Sequence, residues 1–305
     1  MKIVVLGAGG MLGSMVTAVA AAIPELEVTA SMRNPSAPPR LPDGCREVSW
    51  RALDAETASV ADLSDLLNGA AWAVNAIGVI KPYIRDDAAS TERAIRVNGL
   101  FPHTLARAAD ASGCRVLQIA TDCVYSGTIG RYGEGALHDA LDVYGKIKSL
   151  GEVYSPMVHH LRCSIVGPEP RSQVSLLEWF RGQPHGAVLR GFVNHRWNGV
   201  TTLHFARICL GIMAAGLELP QSHHLVPTGD VSKKELLDVL TREYRRADLT
   251  VNPAEAAEAV DRTLTTRDDA LNLKLWKAAG YDLPPTVPAM LGELAAMPAP
   301  MGAPR

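Results

Sequence analysis

The segment YGKIK places Tyr144 and Lys148 four residues apart. That spacing is one helical turn, so both side chains can share a face. A phenol has a pKa of about 10, too high for easy proton exchange at neutral pH, and a nearby ammonium lowers it by favouring the phenolate. Such a pair can protonate a carbonyl oxygen as hydride reaches the carbon, and the lysine can also hold a nicotinamide ribose. None of the other six tyrosines has a lysine four residues ahead. In IATDCVYSG, Thr121 can donate a hydrogen bond to the same oxygen, a small oxyanion-type contribution. The plain alternatives are an amphipathic helix pair and a strand-end threonine.

A second constellation stands at the start of the chain. KIVVLG runs directly into GAGGMLG, with glycines at 7, 10 and 13 and an extra one at 9. Leu12 occupies the place where a GxGxxG loop has its last glycine, so the pattern is GxxGxxG. A tight turn between strand and helix brings backbone N–H groups and a helix N-terminus against a pyrophosphate. Gly7, Gly10, Met11, Leu12 and Gly13 are the expected cradle. Arg33 lies twenty residues past Gly13, at the end of the second strand. An NAD site usually has a carboxylate there; a guanidinium suits a 2′-phosphate. NADP(H) is therefore expected in preference to NAD(H), with a solvated strand-end arginine as the alternative. Asp54 ends the third strand and joins the cofactor-binding candidates.

These groups need elements to position them. Short apolar runs predict strands at 2–7, 26–33, 45–54, 71–78, 115–122 and 158–167. Helices are expected at 11–23, 59–67, 88–112 and 143–155, and 34–44 is a proline-rich loop. Continuous apolar strands alternating with helices predict an α/β fold, a Rossmann-type doubly wound parallel sheet covered on both faces. The proline-punctuated remainder is expected to form a smaller, mostly helical C-terminal lobe over the sheet, which the resemblance given below implies is a substrate lobe. The expected division is a dinucleotide-binding domain at 1–167 and a substrate-binding lobe at 168–305, with 189–215 returning to the Rossmann sheet.

The chain has 305 residues, 47% of them hydrophobic, and a formal net charge of −2. That length can bury a large core. The near-neutral balance argues against a nucleic-acid partner, which needs a concentrated basic surface; REYRR (242–246) reads as a solvated helix face. Five widely spaced cysteines without a CxxC pair fit a reduced cytosolic compartment and suggest no zinc site. His159 and His160 read as structural, and no metal is expected. The opening apolar run stops at glycines, and no stretch approaches the roughly 20 residues a membrane span needs. A soluble, cytoplasmic protein is expected.

GAGGMLG, NAIG (75–78), RVNGL (96–100), ATDCVYSG and YGKIK, in this order and spacing, resemble an extended short-chain dehydrogenase/reductase. The nearest branch is that of dTDP-4-dehydrorhamnose reductases and related sugar-nucleotide 4-ketoreductases. The resemblance covers nearly the whole chain and is strongest over 1–167. It implies a catalytic set of Thr121, Tyr144 and Lys148. It implies that Asn98 supports the lysine through backbone and water, and that Asn75, Ala76, Ile77 and Gly78 line the cofactor. Sugar-nucleotide dehydratases of similar sequence carry Thr-Asp-Glu; here Thr121-Asp122-Cys123 replaces the glutamate, which argues against dehydration. The Ser-Ser-type run of 4-epimerases is also absent. Lys81, Asp122, Cys123, Trp197 and Arg262 are the substrate-side candidates. Asn194, His195 and Trp197 depart from the rhamnose pattern, so the sugar stays open: Trp197 can stack, and Asn194 or His195 can hydrogen-bond. The helix at 175–182 is expected to border the same cleft. The expected activity is NADP(H)-dependent reduction of a nucleotide-activated 4-keto-6-deoxy sugar, and the resemblance allows a homodimer. The alternatives are a non-catalytic NADP-binding regulatory subunit and a cofactor-retaining epimerase.

Overall fold

In the computed structural model, residues 1–85, 87–171 and 174–297 are described. Seven parallel strands form the central sheet: β1 (Lys2–Leu6), β2 (Glu27–Met32), β3 (Ser49–Ala52), β4 (Trp72–Asn75), β5 (Arg115–Thr121), β6 (Val158–Cys163) and β7 (Ser222–His224). Their order across the sheet is β7-β6-β5-β4-β1-β2-β3. The fold is therefore a Rossmann-like α/β fold. The order reverses between β1 and β4, which opens a crevice beyond the carboxyl ends of those strands.

Period-two alternation explains why both faces are covered. Ile3 and Val5 of β1 enter one apolar cluster, and Val4 and Leu6 enter another. The first cluster is shared with α1 (Met11–Ala21); the second lies under α2 (Val60–Leu67). Helix α2 starts as its sequence demands: Ser59 and Asp62 cap each other's backbone N–H groups.

The helical stretch expected over 88–112 is present as α3 (Ala88–Ala94), a π-helical turn (Ile95–Leu100) and α4 (Phe101–Ser112). Pro102 supplies the physical reason. It has no N–H for the carbonyl of Asn98, and its ring would collide with that carbonyl in a regular helix. The wide turn accommodates the ring and frees the Asn98 carbonyl to face Gly151, where a Cβ would stand 2.0 Å from it. Helix α5 (Val143–Leu150) follows β5.

The C-terminal half contributes helices α6 (Leu176–Arg181), α7 (Thr202–Ala215), α8 (Lys233–Glu243), α9 (Asp269–Ala278) and α10 (Val287–Ala296). It also carries small sheets: 188–192 pairs with 250–254, 165–166 with 200–201, and 195–197 with both 231–232 and 260–261. Helix α7 packs on α1. After it the chain enters the main sheet as β7, parallel to β6, with Ser222 opposite His160. No described helix is long and apolar enough to cross a membrane.

Candidate active site

The glycine loop is shaped by close packing. Gly7 has φ +85°, and a Cβ on Gly13 would lie 2.2 Å from the Gly7 carbonyl oxygen. Gly10 caps α1 without a side-chain hydrogen bond, and the first turn holds no acidic residue. The first N–H groups of a helix have no partner within it, so the Met11–Gly13 turn presents donors and the positive end of the helix dipole. A cavity of about 450 Å³ opens above this turn. Gly7, Gly10, Arg33, Asp54, Ala76, Ile77 and Gly78 all line it. A glycine-walled hollow over free amides fits the pyrophosphate of a dinucleotide.

Asn75 and Asn98 stand behind that wall, each only 2% exposed. Asn75 donates to Gln118 Oε1 at 3.0 Å and accepts from the Ile77 N–H at 3.1 Å. Asn98, on the π-helical turn, accepts from the Val79 N–H and donates to the Val79 carbonyl, both at 2.8 Å. Both asparagines thus fix the segment trailing β4, which forms the cavity wall.

Thr121 ends β5, and Tyr144 and Lys148 sit on α5. The Thr121 hydroxyl accepts from the Cys123 N–H at 3.1 Å and donates to Asp122 Oδ1 at 3.3 Å. It also lies near enough to Tyr144 to favour its phenolate, but burial and then the Cys123 thiol outweigh it and push the phenol's pKa up. Burial pushes the Lys148 amine down, and Glu152 opposes that fall. This corrects the expectation that Lys148 makes the phenol acidic. The cost of burying a phenolate dominates, with Cys123 next and Asp122 and Asp142 adding to it.

Helix α5 is registered by backbone contacts. Asp142 caps it, accepting from the Gly145 N–H at 2.9 Å. A Cβ on Gly145 would stand 2.3 Å from the Cys123 carbonyl oxygen. At the other end, Gly151 rests on the Asn98 carbonyl freed by Pro102. The face carrying Tyr144 and Lys148 is therefore seated on the turn after Thr121 and on the π-helical turn together.

Behind Lys148 lies a buried polar group centred on Arg162, itself 1% exposed. Arg162 donates to Glu152 Oε2 at 2.6 Å, to the Thr121 carbonyl at 3.1 Å and to His224 Nε2 at 3.1 Å. His224 Nδ1 in turn lies 2.8 Å from the Thr265 carbonyl, to which it donates. Accepting at Nε2 and donating at Nδ1 is the pattern of a neutral imidazole.

The substrate-side candidates divide. Asp122 is 8% exposed; burial raises its pKa, and Arg262 and Lys233 oppose the rise. Burial and Asp122 push the Cys123 thiol up to about 11, which leaves it inert as a nucleophile. Lys81 pairs with Asp142 at 2.9 Å and lies 5.8 Å above the Tyr144 ring; all three line a second cavity of about 460 Å³. Arg262 donates to the carbonyls of Tyr125 and Ser126, at 2.8 and 3.1 Å. Trp197 is buried and its indole N–H donates to Ser164 at 2.7 Å, so the ring packs inside the lobe rather than offering a stacking face. Asn194 clamps the backbone of Ala256, and His195 contacts the Glu258 carbonyl.

Glu152, Arg162 and Lys233 had no signal of their own in the sequence. Lys233 opens α8, reaches 5.8 Å above the Trp197 ring, and interacts electrostatically with Asp122 and Cys123. The S-x-x-E capping pattern at Ser232 announces the helix, but nothing local aims a lysine at residue 122. Among the described residues, no three His, Cys, Asp or Glu side chains are grouped to hold a metal.

Comparison with known proteins bears on the family and the fold. The family model described as "RmlD substrate binding domain" matches residues 1–166. No curated protein matches the sequence. Among solved structures, a dTDP-4-dehydrorhamnose reductase from Clostridium acetobutylicum is 18% identical, with 96% of this chain and 98% of that one covered and a TM-score of 0.71. The Bacillus anthracis dTDP-4-dehydrorhamnose reductase in complex with NADP is 15% identical over the same shares, with a TM-score of 0.70. MoeE5 in complex with UDP-glucuronic acid and NAD is 18% identical, with 97% and 98% covered and a TM-score of 0.70. At these identities the likeness is one of fold.

Proposed function

The chain belongs to the RmlD substrate-binding-domain family, and from that premise we propose that it is an NADP(H)-dependent reductase of a nucleotide-activated 4-keto sugar. What supports this reading is Thr121 at the end of β5 within hydrogen-bond reach of Tyr144 on α5, in a sheet whose first strand runs into the glycine turn. When bound, the nicotinamide supplies hydride to the ketone carbon. The cradle at 7–13 orients the dinucleotide through backbone N–H groups. Arg33, at the far end of the cavity, favours a 2′-phosphate. The sugar nucleotide lies between residues 1–167 and 168–305, near Asp122. Thr121 polarises the ketone oxygen, and Tyr144 passes its proton to that oxygen as charge develops there. Lys148, kept charged by Glu152, holds the nicotinamide ribose.

Tyr144→Phe tests the assignment. NADPH oxidation with a panel of 4-keto sugar nucleotides should fall by about 10²–10⁴-fold, with the NADPH Kd unchanged within about twofold. Undiminished turnover rejects the role of Tyr144. Stoichiometric NADPH consumption separates reduction from an epimerisation that regenerates its cofactor.

A further inference from the structure

The cavity above the glycine loop reaches past Met32 and Arg33 to Leu53 and Asp54. Among the described residues, Arg171 is the one lining residue beyond residue 97. It stands between 165–166 and α6, in the C-terminal half. Its guanidinium donates to the carbonyl of Ala37, in the proline-rich loop after β2. Arg171 therefore crosses the mouth of the cavity from one part of the molecule to the other.

The turn that carries it is braced. The Glu169 carboxylate accepts from the N–H groups of Val174 and Ser175 at 3.0 and 3.2 Å, and the Glu169 N–H donates to Glu178 Oε1 at 3.3 Å. The local charges leave two guanidiniums for a ligand. Arg93 also lines the cavity, but Glu56 holds it at 2.7 Å. Asp54 bonds the Glu56 N–H at 3.0 Å and stays in its own turn. Arg33 has no ion pair among the described residues, and Arg171 spends one donor of five on Ala37. With the pyrophosphate fixed at the loop, this end of the cavity meets the adenosine ribose.

We infer that Arg171 is a cofactor-specificity residue: with Arg33 it grips the 2′-phosphate of NADP(H) from the opposite wall, and so fastens the turn before α6 to the 34–40 loop. The inference rests on the nicotinamide-dinucleotide reading of the cavity. A guanidinium takes a phosphate through parallel charge-assisted hydrogen bonds and gains nothing comparable from a ribose hydroxyl.

The test is fluorescence titration of the full-length protein with NADPH and with NADH. Arg171→Ala should weaken NADPH by about tenfold or more, the weight of one charge-assisted hydrogen bond, and change NADH less than about twofold. Arg171→Lys should fall between. Loss from Arg171→Ala and Arg33→Ala combined should differ from the product of the single losses. Hydrogen exchange should show NADPH protecting 34–40 in the wild type and failing to do so in Arg171→Ala. Arg171 is exposed, so the variant should melt as the wild type does without ligand. Equal weakening of both cofactors, or of neither, overturns the inference. A wild-type protein that binds NADH as tightly as NADPH overturns it together with the cofactor preference above. NADPH selectivity that survives Arg171→Ala overturns this assignment alone.

Discussion

Tyr144 and Lys148 are pushed in opposite directions by the same burial. The phenol keeps its proton beyond the ordinary range near 10, and the ammonium loses its proton below the ordinary 10.4. As pH rises, the charge on Lys148 therefore goes first. The alkaline limb of the reductase pH–rate profile should lie below pH 10.4 and report the lysine. In the activity that Lys148→Arg retains, that limb should disappear from the accessible range, because a guanidinium stays charged; initial rates at saturating NADPH measure this. Tyr144 and Lys148 could be singled out in the sequence by their four-residue spacing at the start of the helix after the fifth strand, and Thr121 by its place at the end of that strand. Glu152 and Arg162 were not legible. Their meeting at 2.6 Å depends on how the segment after α5 is laid against β6, which no local pattern encodes.

Docking is where α5 acts as a unit. It is eight residues long, too short to be stable by propensity, and takes its position from what it touches. Gly145→Ala would drive a methyl into the Cys123 carbonyl. Overpacking of this kind costs about 1–3 kcal/mol, and relief requires α5 to move away from Thr121. Turnover should drop by at least about tenfold while the melting temperature falls by only several degrees; kcat and thermal unfolding measured on one preparation separate the two. The end of the 88–112 helix was readable from its glycine stop at Gly113, whereas α5, expected over 143–155, stops at Leu150 because Gly151 caps it. The π-helical turn was not readable, although Pro102 marks it once the Asn98 carbonyl has a place to go. Strand β4 ends at Asn75 rather than 78, because Asn98 draws the segment after it out of the ladder to wall the cavity.

Across the molecule, one buried histidine braces α7 against α10 and another ties the late strand β7 to β6. His204 of α7 bonds Thr201 at 2.7 Å and lies 3.6 Å from Glu293 of α10; His224 of β7 accepts from Arg162. Burial depresses both to about 4, with Glu293 opposing the fall for His204 and Arg162 deepening it for His224. A histidine whose folded pKa lies below its unfolded value near 6.5 contributes fully above that value, because only the unfolded chain takes up the proton as pH drops. Stability should therefore decline as pH falls from about 6.5 to about 4, by on the order of 2–3 kcal/mol for each histidine. Denaturant midpoints across that window should show it, and His224→Gln should flatten the slope. Little of this seam could be read from the sequence. Strand β7 is three polar residues, SHH, and its membership in the sheet comes only from lying beside β6.

That late strand constrains how the protein is made. A ribosome releasing the chain from its N-terminus exposes the outer edge of β6, and the flank of α1 that α7 will cover, for the whole time it takes to synthesise residues 164–224. The nascent sheet stays open to wrong partners throughout that interval, and closes only when the SHH strand has emerged.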